Sequence, residues 1–288
     1  MARCSTRWSG PELAAVIPAA GTGTRMATAV PKQYLRLAGQ SVLFWSLRCV
    51  LSHPAVTMAM VAVSADDPHW EHESALIRAA LRTRAGIDKP ILSTIGGERR
   101  QDSVRAGLRA LDSLTTPPDW VLVHDAVRPC VSLAELDRLI RVALADSATD
   151  AGGALLAVPV RDTLKSAAAA TPPAPAASLT NLADDAMTTP RVAGTVDRSS
   201  LWQALTPQCF RRDGLLDALD AAGSAGETVT DEAQALERLG RFPRLVEGAS
   251  TNLKLTWPGD LPLLDALLAA GVTAAGSHSH DVQLSEER

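Results

Sequence analysis

Short apolar runs that each stop at a glycine-rich or acidic cluster, with helix-period stretches between them, limit this chain to few folds. Leu13–Pro18, Met58–Val63, Pro90–Ile95, Trp120–His124 and Ala154–Val160 are such runs. They read as buried parallel strands, because strands covered on both faces lose the polar alternation of half-exposed ones. Between them, Val42–Leu51 and Trp70–Arg84 carry apolar residues at helical spacing, as do Val104, Leu108 and Leu111. Ser132-Leu-Ala-Glu135 is a capping box that opens a helix running to about Ala145. Strands alternating with helices predict an α/β fold, a three-layer sheet.

In such sheets ligands bind at the carboxyl ends of the strands. The clusters after Pro18, Ile95 and His124 fall there, and each contains groups suited to phosphate chemistry. Gly21-Thr-Gly23-Thr-Arg25-Met26 follows the first strand. Glycines let successive backbone N–H groups approach an anion, and Arg25 adds charge-assisted bonds. The loop lacks both GxGxxG and GxxxxGK[ST]. Alone it fits a phosphate cradle or a plain glycine-rich turn. Lys32, in Pro31-Lys32-Gln33, favours the cradle, since a lysine there reaches back to a triphosphate as a point charge.

Gly96-Gly97-Glu98 joins the third strand to a helix; Gly97 and its neighbours suit a base edge, with Ser103 supplying a hydroxyl. Asp125, in His124-Asp-Ala-Val-Arg128-Pro129, stands where a divalent metal bridges phosphates, and Arg128 suits a substrate phosphate. The competing reading there is a structural Asp–Arg pair. His124 reads as a hydrogen-bonded structural histidine, and Arg99 as a surface charge. Asn252-Leu-Lys254-Leu-Thr256 places a lysine in an apolar strand, where it needs an anionic partner.

Net charge is −4, which offers no basic surplus for nucleic acid. Cys4, Cys49, Cys130 and Cys209 form no CxxC pair and read as free thiols. No apolar run reaches the ~18 residues that span a bilayer, and Met1–Pro11 lacks an apolar signal core, so a cytoplasmic protein without a membrane partner is expected. Ser166–Pro190, rich in Ala, Pro and Thr, reads as a flexible insertion. Residues 1–11 and 272–288 read as disordered tails around one domain, 12–271.

The ordered set PAAGTGTRM, PKQY, HDAVRP, PVRDTLK, TVDR, LTPQ, TDEA and NLKLT resembles the 2-C-methyl-D-erythritol 4-phosphate cytidylyltransferases, over about Ala14 to Leu268. The resemblance implies a three-layer Rossmann-like nucleotidyltransferase sheet with a protruding arm at about 159–206, and a homodimer in which each arm reaches over its partner's site. It implies transfer from CTP to methylerythritol phosphate, with Mg²⁺ or another divalent cation as cofactor. Arg25, Lys32 and Lys254 would be catalytic. Ala19, Ala20, Gly21, Gly23, Gly97, Glu98 and Ser103 would surround the nucleotide. Asp125 would sit by metal and substrate, and Arg128, Thr163, Arg198 and Thr206 would bind methylerythritol phosphate. Glu98 stands where family members often carry Asp, and the stretch between Lys165 and Thr195 is longer than the usual arm. A ribitol-5-phosphate cytidylyltransferase would share most of these motifs but not Thr195-Val-Asp-Arg198. A non-catalytic nucleotide-binding relative would be expected to lose some of Arg25, Lys32, Asp125 and Lys254.

Overall fold

The computed structural model describes residues 8–21, 30–145, 152–168 and 189–271. Gly23 and Arg25, residues 169–188 of the insertion and the tails at 1–7 and 272–288 lie outside the described residues. The chain divides into two units, Met1–Ala157 with Ala204–Arg288, and Val158–Gln203.

The larger unit is built on a seven-stranded sheet. Its strands are β1 (Leu13–Pro18), β4 (Val56–Val63), β5 (Ile91–Ile95), β6 (Trp120–Val123), β7 (Gly153–Pro159), β10 (Trp202–Arg211) and β11 (Arg244–Glu247). Two short strands, β2 (Arg36–Leu37) and β3 (Gln40–Ser41), pair with each other. The sheet order is β11-β7-β10-β6-β1-β4-β5. β1 runs parallel to β4 and β6, β4 to β5 and β11 to β7, while β10 is antiparallel to β6.

The apolar runs become strands because both sheet faces are covered. Ala14 and Val16 of β1, with Met58 and Met60 of β4, belong to a core shared with helices α3 (Arg100–Leu111), α5 (Arg212–Ser224) and α6 (Glu232–Glu237). The alternate residues Ala15, Ile17, Ala59 and Val61 are also fully buried, and α1 (Val42–Leu51) packs against β4. Gly107 permits the closest approach of helix to sheet. A Cβ there would stand 2.7 Å from Val16 Cγ1, tighter than carbon atoms tolerate.

Helix ends follow local chemistry. Ser41 caps α1 by accepting from the Phe44 N–H. At α4 (Leu133–Ala145) the Glu135 carboxylate accepts from the Ser132 N–H at 2.9 Å, and the Ser132 hydroxyl accepts from the Glu135 N–H at 3.3 Å. The helix expected over Trp70–Arg84 is α2 (Trp70–Ala80) followed by a π-helical turn, Leu81–Ala85, which Gly86 closes at φ +66°. The remaining helix is α7 (Asp260–Ala269). Among the described residues no helix is long and apolar enough to cross a membrane.

The smaller unit corrects one reading. Ser166 and Ala167, expected in a flexible insertion, belong to β8 (Leu164–Ala167), which pairs antiparallel with β9 (Val192–Val196). The Lys165 ammonium donates to Thr195 Oγ1 at 2.6 Å, and the ladder continues at Ala168 N–H to Arg191 O, 2.8 Å. Backbone pairing carried this segment into a hairpin that its Ala- and Pro-rich composition concealed.

Candidate active site

The carboxyl ends of β1, β5 and β6 open on one cavity of about 300 Å³. Ala19, Ala20 and Gly21 line it from β1, Gly97, Glu98 and Ser103 from the β5–α3 connection, and Asp125 from β6, with Lys32 and Lys254 completing the wall. The structure thus brings most of the sequence-predicted nucleotide residues to one place.

The loop after β5 owes its shape to Gly97. A Cβ there would fall 2.3 Å from Asp102 Cβ, so no side chain fits. Ser103 is buried; its hydroxyl accepts from the Gly97 N–H, and its one proton has the Gly97 and Arg99 carbonyls within reach as acceptors. Its visible role is to hold the loop. Lys32 opens a turn of 3-10 helix, Lys32–Tyr34, and its ammonium reaches the Leu255 carbonyl at 3.2 Å. The neighbouring Gln33, buried, donates to the Ala19 carbonyl at 2.9 Å and ties the lysine segment to the end of β1.

Asp125 is the electrostatic centre. Its Oδ1 accepts from Arg100 Nε at 2.9 Å; its Oδ2 meets Lys254 Nζ at 2.8 Å and Arg128 Nε at 3.4 Å. Burial alone would push this carboxyl up. Arg100, Lys254 and Arg128 outweigh it and hold the group well below the usual carboxylate range. Arg100 is in turn gripped by Glu232 through two bonds, 2.7 and 3.0 Å. The structural Asp–Arg pair is therefore present, yet it is one edge of a larger network that also faces the cavity.

Lys254 corrects a second reading. Residues 252–256 form no strand; Leu255 makes a single backbone bond to Val127. The lysine side chain is 39% exposed, and its anionic partner is Asp125. Its position follows from Asn252, whose amide donates to the Thr206 carbonyl while its own carbonyl accepts from Arg128 at 2.7 Å.

Thr206 and Arg128 lie behind the cavity wall, both buried. Thr206 Oγ1 accepts from the Asp125 N–H at 3.0 Å and pairs with His124 Nδ1 at 3.1 Å, while His124 Nε2 meets the Arg128 carbonyl at 3.0 Å. A proton on Nε2 satisfies every partner, so His124 is the neutral, hydrogen-bonded histidine expected. Burial pushes its pKa down to about 4, with Arg128 and Arg100 adding to the effect. Thr163 and Arg198 are exposed residues of the smaller unit.

Arg100 and Glu232 went unassigned from sequence, although helical phase points to both. Arg100 stands in register with Val104, Leu108 and Leu111 on the buried face of α3, whereas Arg99 is exposed. Glu232 is one turn before the buried Leu236.

Among the described residues no three His, Cys, Asp or Glu side chains form a metal cage. Mg²⁺ characteristically takes one or two carboxylates and draws its other ligands from substrate phosphates and water. A strand-end carboxylate that shares its cavity with Lys32 and Lys254 fits that mode of binding.

A model of the IspD family, described as 2-C-methyl-D-erythritol 4-phosphate cytidylyltransferase, matches residues 13–270. A relative of that name from Halorhodospira halophila is 48% identical over 257 residues, spanning 89% of this chain and 93% of its own. Another from Xanthomonas campestris is 45% identical over 255 residues, 88% of this chain and 84% of its own. The crystal structure of a 4-diphosphocytidyl-2C-methyl-D-erythritol synthase covers 90% of this chain and 99% of its own, at 34% identity and TM-score 0.66. With the family pattern spanning nearly every described residue of the site, the chain belongs to the 2-C-methyl-D-erythritol 4-phosphate cytidylyltransferase family of nucleotidyltransferases.

Proposed function

We propose that this protein transfers the cytidylyl group of CTP to 2-C-methyl-D-erythritol 4-phosphate, releasing pyrophosphate, as a magnesium-dependent cytoplasmic homodimer. The observation that carries the reading is the cavity at the ends of β1, β5 and β6, where Asp125 is ringed by Arg100, Arg128 and Lys254 and faces Lys32.

The attacking group is a phosphate oxygen, already ionised near neutral pH. It requires no strong base; it requires an in-line approach to the α-phosphate and neutralisation of charge on the departing pyrophosphate. Lys32 and Lys254 supply fixed positive charge, and Arg25 would add to it from the loop after β1. Ala19, Ala20, Gly21, Gly23, Gly97 and Glu98 would enclose the nucleoside, with Ser103 holding the loop around it. Mg²⁺, held by Asp125 and the nucleotide's own phosphates, would offset charge on the triphosphate. Arg128 and Thr206 would act on the acceptor by fixing the Asp125 end of β6, and Thr163 and Arg198 would bind its phosphate.

The dimeric part of the reading draws support from the smaller unit, where Val192 is 64% and Val196 39% exposed, both on β9. Apolar side chains gathered on a two-stranded hairpin are what a partner subunit would cover.

The test is pyrophosphate release with CTP, Mg²⁺ and methylerythritol phosphate, with ribitol 5-phosphate offered in parallel. Turnover with methylerythritol phosphate is expected. Faster turnover of ribitol phosphate would overturn the acceptor, and release with neither would overturn the activity.

A further inference from the structure

The segment Thr230-Asp-Glu-Ala233 contributes nothing to the cavity wall, yet its Glu232 is only 1% exposed. A buried carboxylate is costly without compensation. Here the compensation is Arg100 alone, held by Glu232 Oε1 at 2.7 Å and Oε2 at 3.0 Å. Those two bonds occupy both terminal nitrogens of the guanidinium. On its other edge the guanidinium donates from Nε to Asp125 Oδ1 at 2.9 Å.

Building on the reaction proposed above, we infer that Glu232 is a positioning residue. Through Arg100 it fixes the Asp125 carboxylate, and it keeps the Arg100 guanidinium off the nucleotide phosphates. The geometry favours this over a role in seating α6, because α6 is seated by other groups. Asp231 caps it, accepting from the Gln234 N–H at 2.9 Å. Gln208 of β10 donates to Asp231 at 3.0 Å and accepts from the Ala233 N–H at 3.0 Å. Gln101 accepts from the Val229 N–H at 2.7 Å and donates to the Glu227 carbonyl at 3.1 Å. None of these bonds uses the Glu232 side chain, so its charge is directed wholly at Arg100.

The consequence is a division of labour among the cations. Arg100 lines the cavity, but both edges of its guanidinium are engaged, one by Glu232 and one by Asp125, whereas Lys254 is 39% exposed. A free planar guanidinium beside a triphosphate grips it bidentately. Such a grip strengthens ground-state and product binding and leaves Asp125 without its Oδ1 partner. The pairing with Glu232 prevents both.

The experiment is a double-mutant cycle in Glu232→Gln and Arg100→Ala, read as kcat and as KM for CTP, with Glu232→Asp as the conservative rescue. Glu232→Gln is expected to lower kcat about tenfold or more, the scale of losing one partner of a buried ion pair, while KM for CTP stays level or falls. Glu232→Asp is expected to recover part of that loss. In the Arg100→Ala background, Glu232→Gln is expected to add less than about twofold, because it acts through the missing arginine. An undiminished loss in that background would overturn the inference. So would a rise in KM for CTP at unchanged kcat, or a Glu232→Gln enzyme within twofold of wild type. If Glu232→Gln fails to fold, Glu232→Asp carries the same cycle with Arg100→Ala. Pyrophosphate release by the wild type bears on the activity itself; only the ratios between variants bear on Glu232.

Discussion

The end of β6 and the β8–β9 hairpin are both polar, but polar in opposite ways. At the end of β6, every charged or hydrogen-bonding group is answered from a different part of the chain: Asp125 by α3 and the 252–256 loop, His124 by β10. Each partner comes from an element seated in the core, so the arrangement exists before any ligand arrives. In the hairpin, Lys165 meets Thr195 across the ladder, Asp197 turns back on Ser199, and both pairs are exposed. The contrast teaches where preorganisation lies. The end of β6 is held in place because the sheet and the elements packed on it enforce its geometry, whereas the polar residues of the hairpin are surrounded largely by solvent.

The largest expected effect lies on the rigid side. Replacing Lys32 with Ala removes a charge-bearing donor to the Leu255 carbonyl at the cavity wall, while Gln33 continues to anchor the segment to Ala19. Turnover is expected to fall roughly 100- to 1,000-fold, the scale of losing one preorganised donor, with the unfolding midpoint nearly unchanged. Steady-state kinetics beside a thermal melt checks both halves. Near-normal turnover would mean that the preformed wall is not the reacting one.

The next effect reads rigidity through pH. His124 has its folded pKa lowered from 6.5 to about 4, so the unfolded chain binds its proton first as the solution is acidified. The stability this histidine contributes is therefore complete above pH 6.5 and is lost as pH falls toward 4, up to about 3 kcal/mol in all. Protonating Nδ1 also removes the acceptor for the Thr206 hydroxyl, which itself accepts from the Asp125 N–H. Urea titrations at pH 7 and pH 4.5 on wild type and His124→Gln measure the effect. The acid-induced loss should be smaller in the variant; equal losses would assign the sensitivity to other groups.

Much of the rigid side was legible in the sequence because local pattern and tertiary role coincide there. A buried run followed by a carboxylate is enough to locate Asp125, and Ser132 with Glu135 is enough to locate the start of α4. Arg100 and Glu232 required reading helix phase across a charged stretch, where adjacent arginines differ only in the face they occupy. Lys254 was misread because Leu253 and Leu255 alternate like a strand, while Leu253 turns back on Thr251 and Leu255 alone bonds across to a distant segment, at Val127. Ser166 and Ala167, at the end of β8, were assigned to the insertion for the converse reason. β8 has Leu164 as its one large apolar residue, so its pairing rests on the backbone ladder, which composition does not reveal.

On the exposed side the predicted effects are smaller and fall on a different parameter. Arg198 is exposed, and the structure shows its backbone accepting from the Leu201 N–H at 3.0 Å, a bond that substitution of the side chain leaves in place. Arg198→Ala is expected to raise KM for methylerythritol phosphate about tenfold, the loss of roughly one charge-assisted contact, with CTP affinity by calorimetry held within about twofold. A selective loss of CTP binding would move Arg198 to the nucleotide side and dissolve the contrast.

The smallest effect sharpens the comparison by testing its physical basis. The Lys165–Thr195 bond is short, 2.6 Å, yet both residues are exposed, so water replaces the contact readily when it breaks. Lys165→Ala should shift the unfolding midpoint by less than about 1 °C. Glu135→Ala should shift it by several degrees, because the buried carboxylate of Glu135 serves the Ser132 N–H and, at 2.7 Å, the Ala249 N–H, both of them shielded in part from water. Bond length alone ranks these two the wrong way round. If the melts followed bond length instead, burial would not be what separates the end of β6 from the hairpin.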